Sequence, residues 1–172
     1  MILDDDDGEG VGDTVYYWRI QFIDANGIES AFSSTSTFTI LDTPAMPANV
    51  TAISETTSSL QVSWGDNSSV EEGYQVSYSP DGVVFAVFGT TTANVTNTTV
   101  TGLSAGSEYY FEVLGQNIAG DGGAATSSVA YTLSQVPTGL SETDTTKTSF
   151  SVSWGANGNG DATTYCVVVN GA

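Results

Sequence analysis

A heptapeptide that occurs twice constrains this chain more than any other feature. Ser59-Leu60-Gln61-Val62-Ser63-Trp64-Gly65 returns as Ser149-Phe150-Ser151-Val152-Ser153-Trp154-Gly155, with the two tryptophans 90 positions apart. Apolar and polar side chains alternate in both copies, the period of a strand with one buried face. A second echo links the front of the chain to its middle. Thr14-Val15-Tyr16-Tyr17-Trp18-Arg19-Ile20 matches Ser107-Glu108-Tyr109-Tyr110-Phe111-Glu112-Val113 at an offset of 93. Spacings near ninety are the length of one small β-sandwich, so the chain reads as a tandem array in an unusual frame. It enters late in one repeat and leaves early in another.

Helical periodicity is nowhere sustained. Short runs rich in Val, Thr, Tyr and Phe are separated by clusters of Gly, Asn, Asp and Ser, which predicts an all-β chain. Three parts follow: 1–42 as the late part of one sandwich, 43–134 as a complete one, and 135–172 as the early part of another. Pro44 and Pro47 open the middle unit, where proline suits the start of an edge strand. Seven strands are expected there, at Asn49–Ile53, Ser59–Trp64, Gly73–Ser79, Val83–Phe88, Thr98–Leu103, Glu108–Gln116 and Ala125–Thr132. Alternation sends Leu60, Val62 and Trp64 inward, with Tyr74, Val76 and Tyr78, and with Tyr109, Phe111 and Val113. Gln75, Ser77 and Glu112 are expected to face out. Trp64, Tyr74 and Tyr109 are the expected core anchors of this unit. Trp18, Trp154 and Tyr165 are their expected counterparts at the two ends.

At these residues the chain resembles the fibronectin type III domain. The resemblance rests on the tryptophan ending the second strand, on Tyr74-Gln75-Val76-Ser77-Tyr78, and on Leu103 followed six positions later by Tyr109. It implies a tyrosine corner, in which the Tyr109 hydroxyl ties a crossing loop to the backbone. Tyr16 to Ile20, Asp24-Ala25-Asn26-Gly27 and Phe38-Thr39-Ile40 are similar to the last two strands of bacterial members. Pro137, Trp154 and Tyr165 repeat the order of the first three strands. The implied fold is tandem immunoglobulin-like (fibronectin type III) β-sandwiches, one complete and two partial. Some animal members carry an Arg-Gly-Asp integrin motif in the last hairpin. Here Ala119 stands before Gly120-Asp121, so integrin binding is not carried over.

Charge narrows the function classes. Twenty acidic side chains face Arg19 and Lys147 alone, a net charge of −18. That excludes a basic nucleic-acid footprint and disfavours an anionic membrane surface. No transmembrane span is expected, and Met1-Ile2-Leu3 runs straight into Asp4 without an apolar leader, consistent with a removed leader or an internal piece of a longer product. Histidine is absent, so the usual nucleophilic triads are unavailable, and no enzyme activity is expected. Glu71-Glu72 is read as an acidic turn, and Gly120-Asp121-Gly122-Gly123 as a turn between strands. Cys166, the single cysteine, is read as a small apolar filler.

No cofactor is required by any motif, although Asp5, Asp7 and Glu9 have some of the oxygen spacing of a calcium loop. Thr14 stands where such a loop needs a bidentate glutamate. Asn49, Asn67, Asn94 and Asn97 begin Asn-X-Ser/Thr sequons and are candidate N-glycosylation sites. Tyr17 and Tyr110 are the stacking candidates for a glycan.

The two end parts are the decisive feature. Each is a two- or three-stranded remnant whose inner face carries large aromatics, and such remnants are unstable uncovered. Tyr165-Cys166-Val167-Val168-Val169, the expected third strand of the last unit, is apolar on both faces, the pattern of a covered strand. The expectation is an extracellular or cell-surface, non-enzymatic structural or adhesive protein. Neighbouring copies would complete its end parts and build a homopolymer. The alternatives are a spacer or accessory piece of a longer secreted enzyme or adhesin, and a virion tail or decoration protein.

Overall fold

The structure is a computed structural model that describes residues 14–161 and 163–170. All twelve regular elements among them are β-strands. No helix of the described residues is long and apolar enough to cross a membrane.

The middle unit packs two antiparallel sheets face to face. One has the order β3 (Ala48–Ser54), β4 (Ser59–Gly65), β7 (Asn97–Thr101). The other runs β10 (Ala130–Tyr131), β8 (Glu108–Asn117), β5 (Gly73–Ser79), β6 (Ala86–Thr90), with β9 (Gly120–Thr126) also paired to β8. Leu60, Val62 and Trp64 of β4 meet Tyr74 and Val76 of β5 and Tyr109, Phe111 and Val113 of β8 in one buried cluster. The Trp64 and Tyr74 rings sit 5.5 Å apart at 59°, a tilted arrangement that suits the ring quadrupoles. An aromatic that buries about 150–250 Å² gains about 4–6 kcal/mol gross at ~25 cal/mol per Å². Leu103 is buried, and the Tyr109 hydroxyl accepts a hydrogen bond from Ser104 N at 2.9 Å, which makes the tyrosine corner.

Four details differ from the sequence reading, each for a local reason. The fourth strand begins at Ala86, not Val83, because the Asp81 carboxylate accepts the Val83 and Val84 N–H groups at 2.9 and 3.2 Å and holds a turn there. Val83 and Val84 are therefore exposed. The seventh strand begins at Gly120 and breaks at Ser127, whose side chain takes over the bond to Phe111 N at 3.0 Å where the ladder lapses. Gly120 to Gly123 thus lie within β9 rather than in a turn. A Cβ on Gly122 would stand 2.1 Å from the Pro44 carbonyl, and one on Gly115 2.7 Å from Pro44 Cβ, so these glycines let the incoming linker lie on the hairpin. Ser77 is buried, because it sits in a central strand between Val87 and Glu112, whereas Tyr78 is only partly buried.

The first part is a hairpin of β1 (Thr14–Trp18) and β2 (Ser36–Ile40), in register from Thr14 opposite Ile40 to Trp18 opposite Ser36. Beyond Trp18 the ladder continues loosely. Ile20 and Phe22 exchange bonds with Ser33 and Ser30, and the chain reverses at Asp24, whose carboxylate accepts Asn26 N and Ile28 N, both at 2.8 Å. Gly27, at φ 80°, supplies the left-handed residue that this reversal needs.

The last part pairs β11 (Thr138–Thr143) with β12 (Ser151–Gly155). The expected third strand is not formed, and residues 163–170 pair with no strand. Its sequence is that of a central strand, but the counterparts of β6 and β8 that would flank it are not among the described residues.

Both junctions are hydrogen-bonded. Asn117 Nδ2 donates to the carbonyls of Asp42 and Val70 at 2.7 and 3.0 Å. At the other junction Gly160 N reaches Ala105 O at 2.9 Å, and Asn159 Nδ2 reaches Gln135 O at 2.8 Å.

Candidate functional site

The last part repeats one ring pair of the middle unit. Trp154 and Tyr165 lie 5.7 Å apart at 56°, close to the 5.5 Å and 59° of Trp64 and Tyr74. The segment after Tyr165 is therefore held across from β12 much as β5 is held across from β4. Between them opens a cleft of about 820 Å³. Leu140, Phe150, Val152 and Trp154 line one wall, and Tyr165 with the four residues to Val169 the other. In the middle unit the equivalent space holds the inward side chains of β8, all buried. Here Phe150 is 47% exposed and Val152 42%. Cys166 is exposed too, which corrects the reading of it as a small apolar filler; no sheet among the described residues covers its segment.

The first part presents the converse surface. By the 93-residue offset, Tyr16, Trp18 and Ile20 correspond to Tyr109, Phe111 and Val113. Tyr16 is partly covered, stacked on Phe38 at 5.2 Å and 13°. Trp18 is 49% exposed and Ile20 60%, and Phe22 beyond them is exposed as well. Trp18 is open in the single chain, where no second sheet packs on the hairpin among the described residues. Trp154 and Tyr165 are only partly buried, whereas Trp64, Tyr74 and Tyr109 are buried. Arg19 lies on the other side of β1 with its guanidinium 4.1 Å from the centre of the Phe32 ring, a cation–π contact.

The remaining candidates fall as follows. Asp5, Asp7 and Glu9 lie outside the described residues. Among the described residues no group of three or more His, Cys, Asp or Glu side chains is placed to hold a metal. Asn49, Asn67, Asn94 and Asn97 are all exposed, and Asn67 Nδ2 donates to Met46 O at 3.1 Å. Asn49 and Asn94 take left-handed backbone, with φ 52° and 61°. Tyr17 is fully available for stacking, but Tyr110 is partly buried, its ring 3.3 Å from where a Gly82 Cβ would stand.

One buried polar cluster escaped the sequence reading. Glu71 is 7% exposed rather than in a solvated turn, and its Oε1 accepts Asn94 N at 3.2 Å, pinning the left-handed turn before β7. Nearby, the Tyr74 hydroxyl donates to Asp66 Oδ1 at 2.5 Å. Desolvation, then the Asp66 carboxylate, pushes the Tyr74 phenol far above its ordinary range. Strand alternation does not run through a loop, so nothing in the local pattern marks Glu71 as buried.

The family match agrees with this architecture. The sequence model of the Fibronectin type III domain matches residues 45–132. No curated protein matches the chain. Similar solved structures include "FN3tt mut", 19% identical over 53% of this chain and 99% of that one, with a TM-score of 0.47. The chicken CNTN1 FN1-FN3 domains are 21% identical over 70% of this chain and 44% of theirs, at 0.47. The fn3 domain of the human collagen alpha-1(XX) chain is 26% identical over 51% of this chain and 83% of that one, at 0.44. With a complete two-sheet sandwich, its tyrosine corner and the matching family model over the same residues, this chain belongs to the fibronectin type III family.

Proposed function

We propose that this is a non-enzymatic, extracellular structural or adhesive protein that self-associates head to tail into a surface fibre. Fibronectin type III domains are generally non-catalytic structural modules, typically extracellular or surface-exposed, and the middle unit supplies such a module. The observation that carries the finer reading is the reciprocity of the two ends. An apolar cleft lacking its inner strand stands at one end, and the exposed inner face of the matching strand at the other. A contact between two different surfaces that does not close on itself generates an open fibre. The test is electron microscopy with sedimentation velocity over a protein concentration series. Growing linear particles support the reading; dispersed single chains at high concentration overturn it.

A spacer in a longer secreted protein is the second reading. It is favoured by the hydrogen bonds that cross the junctions, Asn117 Nδ2 to Asp42 O and Gly160 N to Ala105 O, which would keep consecutive units in line.

A further inference from the structure

Resting on that head-to-tail reading, we infer that β1 and the residues after it enter the cleft of a second copy as its missing inner strand, antiparallel to residues 165–170, with Gln21 opposite Cys166. The middle unit supplies the register. There β5 and β8 pair Gln75 with Leu114, Val76 with Val113, Ser77 with Glu112, and Tyr78 with Phe111. Aligning Tyr165 with Tyr74, the partner each makes with its tryptophan, places Cys166, Val167, Val168 and Val169 at these four positions. The 93-residue offset places Gln21, Ile20, Arg19 and Trp18 opposite them.

The chemistry of each pair agrees with its side of the sheet. Trp18 and Ile20 would enter the cleft beside Val169 and Val167, where Phe111 and Val113 lie in the middle unit and are fully buried. Arg19 and Gln21, which would be costly in that cleft, fall on the opposite face of the inserted strand, at the positions that Glu112 and Leu114 hold against Ser77 and Gln75 in the middle unit. A register shifted by one residue exchanges the two sets and puts the guanidinium inside, so the alternation excludes odd shifts and the repeat offsets choose among the even ones. The inserted backbone would pair with the N–H and C=O groups of residues 165–170, which pair with no strand in the single chain.

The single cysteine makes the register testable in the full chain. Gln21→Cys is combined with Cys166→Ser, mixed with size-tagged wild type, and oxidised by diamide, which takes up the two thiol hydrogens as the disulfide forms. Arg19→Cys and Ile23→Cys in the same Cys166→Ser background are the register controls. Their positions lie two residues along the strand, about 6.8 Å, which moves the Cα pair outside disulfide reach, so heterodimer at position 21 should exceed either control by roughly tenfold. Sedimentation of the same samples without oxidant reports association independently. Association with the strongest cross-link at 19 or 23 overturns the register and leaves head-to-tail assembly standing. Cross-links only between identical thiols mean that like ends meet, and overturn both. Absence of association also sinks both. Should Gln21→Cys disturb the hairpin, Arg19→Cys against Val168→Cys, both with Cys166→Ser, tests the neighbouring pair and must link for the register to survive.

Discussion

The heptapeptide of β4 recurs at residues 149–155, ending in β12, and the two copies meet different fates. In β4, Leu60, Val62 and Trp64 are buried under β5 and β8. In β12 and the residue before it, Phe150 and Val152 stay nearly half exposed, although Trp154 finds its tyrosine at almost the same distance and tilt. The alternation of a strand fixes which side chains share a face, but burial of that face belongs to the opposite sheet. The difference therefore measures what the opposite sheet contributes to the middle unit.

The largest effect that separates the two regions comes from truncating each tryptophan. Trp64→Ala should cost about 3–5 kcal/mol in urea unfolding of the single chain, the usual range for a buried aromatic removed from a packed core. Trp154→Ala, measured under the same conditions at low concentration, should leave the main transition within about 0.5 kcal/mol, as for a surface substitution. Equal losses at the two sites would mean that the last part folds as one unit with the middle.

Next in size is the tyrosine corner, which the first and last parts do not complete among the described residues. Tyr109→Phe keeps the ring and removes the acceptor for Ser104 N, and should cost about 1–2 kcal/mol by the same measurement. A change below a few tenths would show that water replaces the hydroxyl at no loss.

Assembly itself should depend on salt. Two copies at −18 repel, and screening shortens the reach of that repulsion from about 30 Å at 0.01 M to about 8 Å at 0.15 M. Sedimentation should therefore show stronger association at the higher ionic strength, because the faces proposed to meet are apolar. Weaker association in salt would point instead to contacts made by charges.

The smallest effect compares two aspartate turns, one in each region. Asp24 and Asp81 are held below the ordinary aspartate value by backbone N–H donors, chiefly those of Ile28 and Val83. A depressed carboxylate stabilises its turn above the unfolded value of about 3.9, and that contribution is lost as pH falls through the folded value. The protection of the Ile28 and Val83 amides against exchange, taken relative to the intrinsic rate at each pH, should fall together in acid. No change at either amide down to pH 2 would refute the carboxylate anchors.

Much of the fold was legible because the pattern is periodic. The strand from Gly73 to Ser79 coincides with its expected bounds, and the Leu103–Tyr109 spacing led to the corner bond. What was not legible lies where side chains act on backbone outside the period. The Asp81 carboxylate moved the start of β6, Ser127 broke the last strand, and Glu71 was drawn inward to cap the Asn94 amide. Residues 165–169 were misread for a related reason. Their composition is that of a covered strand, and among the described residues no strand flanks them with a ladder to join. The open faces at the two ends were foreseeable from the repeat offsets, whereas the preformed Trp154–Tyr165 pair required the three-dimensional arrangement.

The most direct test of the central claim is the protection of Trp18 and Trp154 from hydroxyl-radical oxidation, read by mass spectrometry as protein concentration rises. The account predicts that both indoles oxidise readily in dilute single chains and become protected together as linear particles form, with Trp64 protected throughout. Trp18 and Trp154 that oxidise equally fast at every concentration, in particles or out of them, would contradict it.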